Sequence, residues 1–325
     1  MVALPARPTP TLTAIYAAYE ADAEDGFRVH LGASLIGKEC RRALWYDFHW
    51  TTRASFSGRM LRLFETGQLE EHRLVRNLRR TGATVLDVDP DTGRQWRVSA
   101  HDGHFGGSMD AVAVGLMEAP KTWHVLEFKT HSAKSFADLK RQGVRESKPR
   151  HWAQMQIYLH LTGMTRAMYL AVNKDTDEIH VERLPAERTE GEALLAKAGF
   201  IIKAAHPPER LSADPAWWQC RLCEHHALCH EGAVAERTCR TCLHSTPIHG
   251  GKAAVSNGLR AERAGGWHCA RHGRALTGND QRRGCDRHLF IPDLVAGEVA
   301  DAGDDHVVYR LAGGSTWVDG RAAPC

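Results

Sequence analysis

The spacing of the cysteines constrains this chain of 325 residues more than any other feature. Seven of its nine cysteines fall between residues 220 and 285, where Arg, Gly and His are frequent and apolar periodicity is weak. Such a segment has too few apolar side chains to build a conventional core, and bound metal is the usual substitute. We expect no secretory signal, because prolines and acids interrupt the first apolar residues. A reducing compartment, the cytoplasm, is therefore expected, and clustered thiols there bind metal in preference to forming disulfides.

Composition excludes several classes of protein. Hydrophobic residues make up 43% and charged residues 25% of the chain, which is typical of folded globular proteins and not of disordered or fibrous ones. No apolar run approaches the roughly 18 residues that span a bilayer, so we expect no membrane segment. The formal net charge of +3 is too small to indicate nucleic-acid binding by itself.

The periodicity of the first 205 residues is typical of an α/β domain. The predicted helices cover residues 11–22, 36–49, 59–80, 149–161 and 187–205. The predicted strands cover residues 83–88, 95–100, 109–114, 123–130, 167–172 and 179–184. We therefore expect a mixed central sheet flanked by helices in residues 1–236. A small metal-stabilised module is expected in residues 237–325, and its last element is a hairpin over residues 306–320.

One apolar strand carries two charges. In the segment WHVLEFKT, strand alternation places Glu127 and Lys129 on one face and Phe128 on the other. Buried charges are costly unless they bind each other or a metal. A Glu–Lys ion pair is therefore one interpretation of this segment, and a metal site is the second.

Asp110 favours the metal site. It lies 17 residues before Glu127, on the preceding predicted strand, and follows Gly106 and Gly107, which would let the backbone pass close to a ligand. Adjacent antiparallel strands would bring both carboxylates to one cation, and Mg²⁺ prefers such oxygen ligands. A metal held there can activate water and stabilise a phosphodiester in its transition state, with Lys129 assisting the nucleophile.

Asp110, Glu127-Phe128-Lys129 and the segment from Gln154 to Tyr158 together resemble the PD-(D/E)XK nuclease superfamily. More narrowly, they are similar to the RecB-type exonucleases, which include phage recombination exonucleases and CRISPR-associated adaptation nucleases. The resemblance implies a restriction-endonuclease-like fold that binds Mg²⁺ or Mn²⁺. It also implies that Gln154 and Tyr158 contact the surroundings of the lysine or the DNA backbone. The alternative for these two residues is a surface Gln and a half-buried Tyr.

The family pattern begins with a helix that carries G-x-x-x-H or G-x-x-x-E. Gly67 and Glu71 fit this element, although Glu70 and His72 leave the alignment open by one residue. The proline that precedes the aspartate in the family is replaced by Met109 here. The resemblance implies a metal held by Glu71, Asp110, Glu127 and the carbonyl of Phe128.

The first cysteine group has the spacing Cys220-x2-Cys223-x5-Cys229. With Cys40 it resembles the iron–sulfur staple of several RecB-type nucleases, and four thiolates suit a 4Fe–4S cluster. The alternative is zinc, with Cys40 replaced by one of the histidines His225, His226 and His230.

The second cysteine group begins with Cys239-x2-Cys242, the spacing of a zinc knuckle. Cys269 and Cys285 would complete a four-cysteine zinc site similar to a zinc ribbon, and His268 or His272 would be able to replace one thiol. Cys325 is then left without a ligand. The arginines of this region would either contact phosphates or be solvated; they are Arg237, Arg240, Arg271, Arg274, Arg282 and Arg283.

The resemblance implies a metal-dependent deoxyribonuclease, an exonuclease that processes DNA ends in recombination, repair or phage replication. The protein would act in a bacterial or phage-infected cell, and its partner would be a recombination or annealing protein. A predicted basic loop over residues 141–151 would line the DNA path or be solvated, and its cations are Arg141, Arg145, Lys148 and Arg150. A structure-specific endonuclease of the same superfamily is an alternative. A non-catalytic nucleic-acid-binding protein organised by metal clusters is another.

Overall fold

A computed structural model of the protein describes residues 9–23, 26–250 and 265–320. The predicted unliganded Cys325 lies outside these residues. The described helices are α1 (Pro10–Ala21), α2 (Arg41–Phe48), α3 (Gly58–Arg80), α4 (Ala133–Ser147), α5 (Pro149–Thr162), α6 (Arg188–Lys203), α7 (Trp218–Arg221), α8 (His226–His230) and α9 (Gly278–Arg283).

The strands of the same ranges form one large and three small sheets. They are β1 (Leu31–Gly32), β2 (Thr84–Leu86), β3 (Arg97–Ala100), β4 (Phe105–Ser108), β5 (Ala111–Val114), β6 (His124–His131), β7 (Arg166–Asn173), β8 (Ile179–Pro185), β9 (Ser245–Pro247), β10 (Trp267–Cys269), β11 (Arg274–Leu276), β12 (Gly297–Ala302), β13 (His306–Leu311) and β14 (Thr316–Gly320).

The central sheet has the strand order β2-β5-β6-β7-β8. Strands β6 and β7 are parallel, and the other neighbours are antiparallel. Helix α3 covers one face, and helices α4 and α5 cover the other. The predicted mixed sheet flanked by helices is therefore confirmed.

The alternation of β6 divides its side chains between the two layers. Leu126 and Phe128 pack with Leu74 of α3, whereas Val125 packs in the core that contains Trp152 of α5. The strand is thus covered on both faces, as its nearly continuous apolar sequence predicts.

The predicted strand over residues 109–114 begins two residues later than expected, at Ala111, and a separate strand, β4, precedes it. Strand β4 ends at Ser108 and pairs with β1 and β3 in a small sheet, whereas β5 begins at Ala111 in the central sheet. Met109 and Asp110 therefore lie at the junction of two sheets. The predicted strand over residues 95–100 belongs to the small sheet and not to the central one.

Residues 141–147 are helical, so the predicted basic loop is wrong over most of its length. Helix α4 buries Phe136, Leu139 and Val144, and its basic residues hide this apolar spacing in the sequence. Gly143 interrupts the helix with a φ of 73°.

The predicted helix over residues 36–49 begins later than expected, at Arg41. Cys40 caps it, because its sulfur accepts a hydrogen bond from the Ala43 N–H at 3.4 Å.

The predicted terminal hairpin is present as β13 and β14, with a third strand, β12, that the sequence analysis missed. The two predicted domains, residues 1–236 and 237–325, share a hydrophobic cluster. Trp267, Leu276 and Phe290 pack in the cluster that contains Trp45 and Phe48. The hydrophobic core thus continues across residue 237. No helix in the described ranges is long and apolar enough to cross a membrane.

Candidate active site

The junction between β4 and β5 places Asp110 beside β6. The Phe128 N–H donates a hydrogen bond to Asp110 Oδ2 at 2.7 Å. Strands β5 and β6 are antiparallel, with Ala111 opposite Leu126, so the residues that flank this pair lie side by side. Burial raises the pKa of Asp110, and the opposing effects of Lys129 and the Phe128 N–H are smaller.

Glu127 and Lys129 form an ion pair on β6, in which Glu127 is buried and the Lys129 side chain is 28% exposed. The Lys129 ammonium donates to Glu127 Oε1 and to the Phe128 carbonyl oxygen, the latter at 3.0 Å. Glu127 is fully buried, and its second oxygen, Oε2, has no hydrogen-bond partner among the described residues. Burial raises the pKa of Glu127 to about 8, against the attraction of Lys129 and with a contribution from Asp110.

Lys129 stays charged among these acids. Burial alone would lower the pKa of its ammonium, but the attraction of Glu127, Asp110 and Glu71 outweighs burial and raises the pKa. The ammonium therefore bonds to two of the oxygen groups that were predicted to hold a metal.

Glu71 reaches the same site from α3. Burial raises the pKa of this half-buried carboxyl to about 7, and the charge of Asp110 adds to the shift. The neighbouring Glu70 forms an ion pair with Arg73 at 3.2 Å. Glu71 is favoured over Glu70 as the extra ligand, because Asp110 and Lys129 affect the pKa of Glu71 whereas Glu70 pairs with Arg73; the choice of ligand stays a prediction.

The donor set fits a divalent cation. Three acids share one ammonium, and the buried, unpartnered Oε2 of Glu127 is the kind of oxygen that Mg²⁺ or Mn²⁺ binds. Glu71, Asp110 and Glu127 do not all offer oxygens within 4.8 Å of one another, so a cation would have to draw them closer. Among the described residues only Asp47, Glu224 and His225 meet that distance, and the Lys38 ammonium already bridges those two acids at 2.8 and 2.7 Å.

Gln154 and Tyr158 of α5 are both buried, so their interpretation as a surface Gln and a half-buried Tyr is wrong. Gln154 donates from Nε2 to the Tyr158 hydroxyl at 3.0 Å, and that hydroxyl donates to the Ser108 carbonyl at 2.7 Å. A Cβ at residue 107 would lie 2.9 Å from the Tyr158 hydroxyl oxygen. Gly107 therefore makes room for Tyr158, and the close approach of a ligand to Gly106 and Gly107 stays a prediction. The pair fixes the backbone two residues before Asp110.

Two of the four cations predicted to line the DNA path are engaged within the protein. Arg141 pairs with Asp138 at 2.8 Å. Arg145 pairs with Glu190 at 3.4 Å, and its guanidinium lies 4.9 Å from the Trp152 ring centroid. The remaining two, Lys148 and Arg150, flank the start of α5.

The first cysteine group surrounds one cavity of about 630 Å³, which is lined by Cys40, Cys220, Cys223 and Cys229. Burial and the neighbouring thiols of Cys40 and Cys229 raise the pKa of Cys220. His225 uses both ring nitrogens, for Thr52 and Asp47, each at 3.1 Å. This disfavours His225 as the zinc ligand that would replace Cys40.

The second cysteine group lines a smaller cavity, of about 80 Å³, with the thiols of Cys239, Cys242, Cys269 and Cys285. Burial, and then the other three thiols, raise the pKa of Cys239 to about 12. His272 lies here, with Nε2 3.7 Å from the Cys285 sulfur, whereas His268 does not line the cavity.

The sequence analysis missed two further histidines in this cavity, His244 and His288. Each has a buried ring nitrogen without a hydrogen-bond partner among the described residues. Their positions two and three residues after Cys242 and Cys285 were the available signal.

The predicted phosphate contact of Arg240 is wrong, because its side chain is buried. Its guanidinium donates to the Val29 carbonyl at 2.8 Å, the Gln281 side chain at 2.9 Å and the Phe48 carbonyl at 3.1 Å. Arg240 thus joins the cysteine-rich module to the preceding domain. Arg274 is engaged with Asp280 at 2.8 Å.

Three solved structures are similar to this chain at low identity. LHK-Exo in complex with dAMP is 16% identical over 58% of this chain and 90% of that chain, with a TM-score of 0.38. SSO0001 is 15% identical over 68% and 96%, with a TM-score of 0.40. The alkaline exonuclease LHK-Exo from Laribacter hongkongensis is 17% identical over 57% and 92%, with a TM-score of 0.34. A comparison with curated proteins gave no match.

A family profile covers more than half of the chain. Residues 21–230 match the profile of the PD-(D/E)XK nuclease superfamily, and this range contains every acid and lysine of the candidate site as well as the first cysteine group. On this evidence the chain belongs to the PD-(D/E)XK nuclease superfamily.

Proposed function

We propose that this protein is a Mg²⁺- or Mn²⁺-dependent deoxyribonuclease that hydrolyses DNA phosphodiester bonds as an exonuclease. The proposed metal ligands are Glu71, Asp110, Glu127 and the carbonyl of Phe128. The observation that carries the proposal is the buried, unpartnered Oε2 of Glu127 beside two further acids at the junction of two sheets.

The metal, when bound, would supply Lewis acidity and a more acidic water. Lys129 supplies a positive charge at the site in addition to the metal, because Glu127 and the Phe128 carbonyl hold its ammonium there. That ammonium can orient the attacking water and attract the phosphate. Gln154 and Tyr158 act indirectly, because their hydrogen bonds fix the Ser108 carbonyl and hence the position of Asp110.

The cysteine groups complete the proposal. We assign a 4Fe–4S cluster to Cys40, Cys220, Cys223 and Cys229, since all four line one cavity and Cys40 comes from a part of the chain far from the other three. We assign Zn²⁺ to the smaller cavity lined by Cys239, Cys242, Cys269 and Cys285.

The proposed organisation is a nuclease domain over residues 1–236 and a zinc module over residues 237–325. The proposed setting is the cytoplasm of a bacterial or phage-infected cell. There the protein would process DNA ends in recombination or repair, together with a recombination or annealing protein.

The activity test incubates the purified protein with linear and circular DNA, single- and double-stranded, in Mg²⁺ or Mn²⁺. An exonuclease degrades only linear DNA, whereas cleavage of closed circles would identify an endonuclease. Asp110→Ala and Lys129→Ala should abolish cleavage, and undiminished cleavage by both would refute the site. Lys140→Ala is the matched control, because Asp138-Leu139-Lys140 repeats the acid-x-lysine spacing and Lys140 pairs with Glu178 on the exposed surface. DNA binding without any cleavage by the wild type would favour the non-catalytic alternative.

The metal test measures iron, sulfide and zinc in protein purified without oxygen. A brown protein that becomes colourless in Cys220→Ser while retaining zinc is expected. A colourless wild type with zinc in both cavities would replace the iron–sulfur assignment.

A further inference from the structure

A chain of hydrogen bonds begins at His131 of β6, the strand that carries Glu127 and Lys129. The Tyr169 hydroxyl is hydrogen-bonded to His131 Nε2 and to His151 Nδ1, each at 2.8 Å. His131 Nδ1 is in turn bonded to the Ser135 hydroxyl at 3.0 Å. Four elements, β6, β7, α4 and α5, therefore meet in one polar network inside the core.

The network lies on the face of β6 that carries the candidate site. Glu127, Lys129 and His131 alternate along the strand and share that face. Tyr169 is the register partner of Glu127 on the parallel strand β7, yet its hydroxyl reaches His131, four residues further along. The buried Tyr169 ring therefore runs past the level of Lys129.

Both imidazoles are held neutral by this environment. Burial, Lys148 and Lys129 lower the pKa of His131 to about 4. Burial, Lys129 and His131 lower the pKa of His151 to about 3. A neutral imidazole donates from one nitrogen only, so the bond that Nδ1 makes restricts what Nε2 can do.

The tautomer of His151 determines whether its Nε2 atom donates or accepts a hydrogen bond. The Tyr169 hydroxyl has one proton, which it can donate to either His131 or His151. When the proton goes to Nδ1 of His151, the Nε2 of this half-buried ring carries a hydrogen and has no hydrogen-bond partner among the described residues. The charges of Lys129, Arg150 and Lys148 all lower the pKa of this ring, so its donor lies in positive surroundings.

We propose that His151 binds a backbone phosphate of the DNA strand through its Nε2–H, and that Tyr169 and His131 are positioning residues that set its tautomer and ring orientation. This inference rests on the proposed nuclease function. Its reason is electrostatic, since three acids at the metal site repel a phosphate, and a donor from α5, which packs on the same face of β6, would offset part of that repulsion. A neutral donor does so without adding charge next to Lys129.

The first test measures binding of a short linear duplex by fluorescence anisotropy without divalent metal, so it does not depend on cleavage. His151→Ala should weaken binding about tenfold or more, as expected for a hydrogen bond to a charged group. His151→Gln, which keeps an N–H donor, should recover part of the affinity. Tyr169→Phe should weaken binding about threefold, because the ring of His151 loses the bond that sets its orientation. His160→Ala, on the same helix, is the control and should bind like the wild type.

The second test replaces single phosphates of that duplex by neutral methylphosphonates, one position at a time. The wild type should lose about tenfold in affinity at one position that His151→Ala no longer senses. Equal sensitivity of both proteins at every position would overturn the inference, as would wild-type affinity of His151→Ala.

The two proposals fail in different ways. A wild type that binds DNA without cleaving it refutes the nuclease function, while the methylphosphonate pattern still decides the role of His151. Cleavage that depends on Asp110 and Lys129 but is indifferent to His151 and Tyr169 refutes only the inference. A wild type that does not bind DNA overturns both.

Discussion

Two cations in this protein, the partly exposed Lys129 and the buried Arg240, have opposite surroundings. Lys129 lies among the three acids Glu71, Asp110 and Glu127, which together raise the pKa of its ammonium. Arg240 bonds to two backbone carbonyls and one amide side chain, and its carbon Cζ lies 3.7 Å from the Trp50 and 4.8 Å from the Trp267 ring centroid. No carboxylate pairs with Arg240 among the described residues.

The difference indicates what each charge does. Excess acid around Lys129 leaves an oxygen without a partner and an unbalanced negative charge, which a metal or a reaction can use. Around Arg240 the guanidinium donates to neutral acceptors and stacks on aromatic rings, which fixes two parts of the chain together and leaves no reactive group. The first environment favours chemistry and the second favours stability, and substitutions can separate these effects.

The largest expected effect is on activity. Lys129→Ala should lower kcat by about 100-fold or more, because the loss removes a positioned charge and proton-transfer partner of the water. Stability should change little, since the acids can take up protons once the ammonium is gone. Rates of DNA hydrolysis and urea unfolding curves test both statements, with Lys140→Ala as control. A Lys129→Ala protein that is fully active but unstable would make Lys129 a structural residue like Arg240.

The second effect is on stability. Arg240→Met should lower the free energy of unfolding by about 3 kcal/mol, because three buried acceptors lose their donor. Arg240→Lys should recover only part of this loss, since an ammonium cannot match the planar fork or stack on Trp50. Urea unfolding measures the change, and the exposed Arg283→Met is the control. Loss of DNA binding by a stable Arg240→Met protein would restore the predicted phosphate contact.

These two sites differ in how much the sequence could predict. The acid and lysine of β6 lie two residues apart in a periodic strand, so alternation alone places them on one face. The neighbours of Arg240 are separated from it by up to 211 residues in the chain, and a buried arginine between two cysteines has no local pattern that distinguishes it from a solvated one. Local periodicity therefore predicts the strand and not the interface.

The His131–Tyr169–His151 network was missed for the same reason. Its members come from three elements, and their contact depends on the pairing of β6 with β7 and on the way α5 packs. Helix α4 was missed differently, since its basic exposed residues concealed the apolar spacing of Phe136 and Leu139. The order of elements and the sheet were predictable, whereas contacts between distant elements were not.

A third, smaller effect on stability distinguishes Gly107, which precedes Asp110, from Gly67 of the G-x-x-x-E element. Gly107→Ala should cost about 1–3 kcal/mol, because the new Cβ would meet the Tyr158 hydroxyl at 2.9 Å and the Ala33 Cβ at 3.0 Å. It should also lower activity by displacing the junction that carries Asp110. Gly67→Ala is the control, since nothing lies within 4 Å of its added Cβ and helix propensity favours alanine. Unfolding and cleavage rates test the pair, and equal tolerance at both positions would show that Tyr158 does not fix this junction.

The last expected effect is on the pH dependence of stability. The pKa of Glu127 is raised from 4.5 to about 8 and that of Glu71 from 4.5 to about 7, so the folded protein holds these protons more tightly than the unfolded chain. Their contribution is fully present below the unfolded pKa and is lost as pH rises through the folded values. Without metal, the free energy of unfolding should therefore fall between about pH 5 and pH 8. Glu127→Gln should reduce this slope.

Added Mg²⁺ should reverse the slope, because the cation competes with protons for the same oxygens and binds more strongly as they ionise. Urea unfolding at several pH values, with and without Mg²⁺, measures both slopes. A metal effect of the same size in Glu127→Gln as in the wild type would contradict the assignment of Glu127 as a ligand. Arg240 lies among neutral acceptors, so Arg240→Met should lower the free energy of unfolding by the same amount at every pH. Glu127→Gln should change the pH dependence of stability, whereas Arg240→Met should not. This difference distinguishes the reactive site from the structural one.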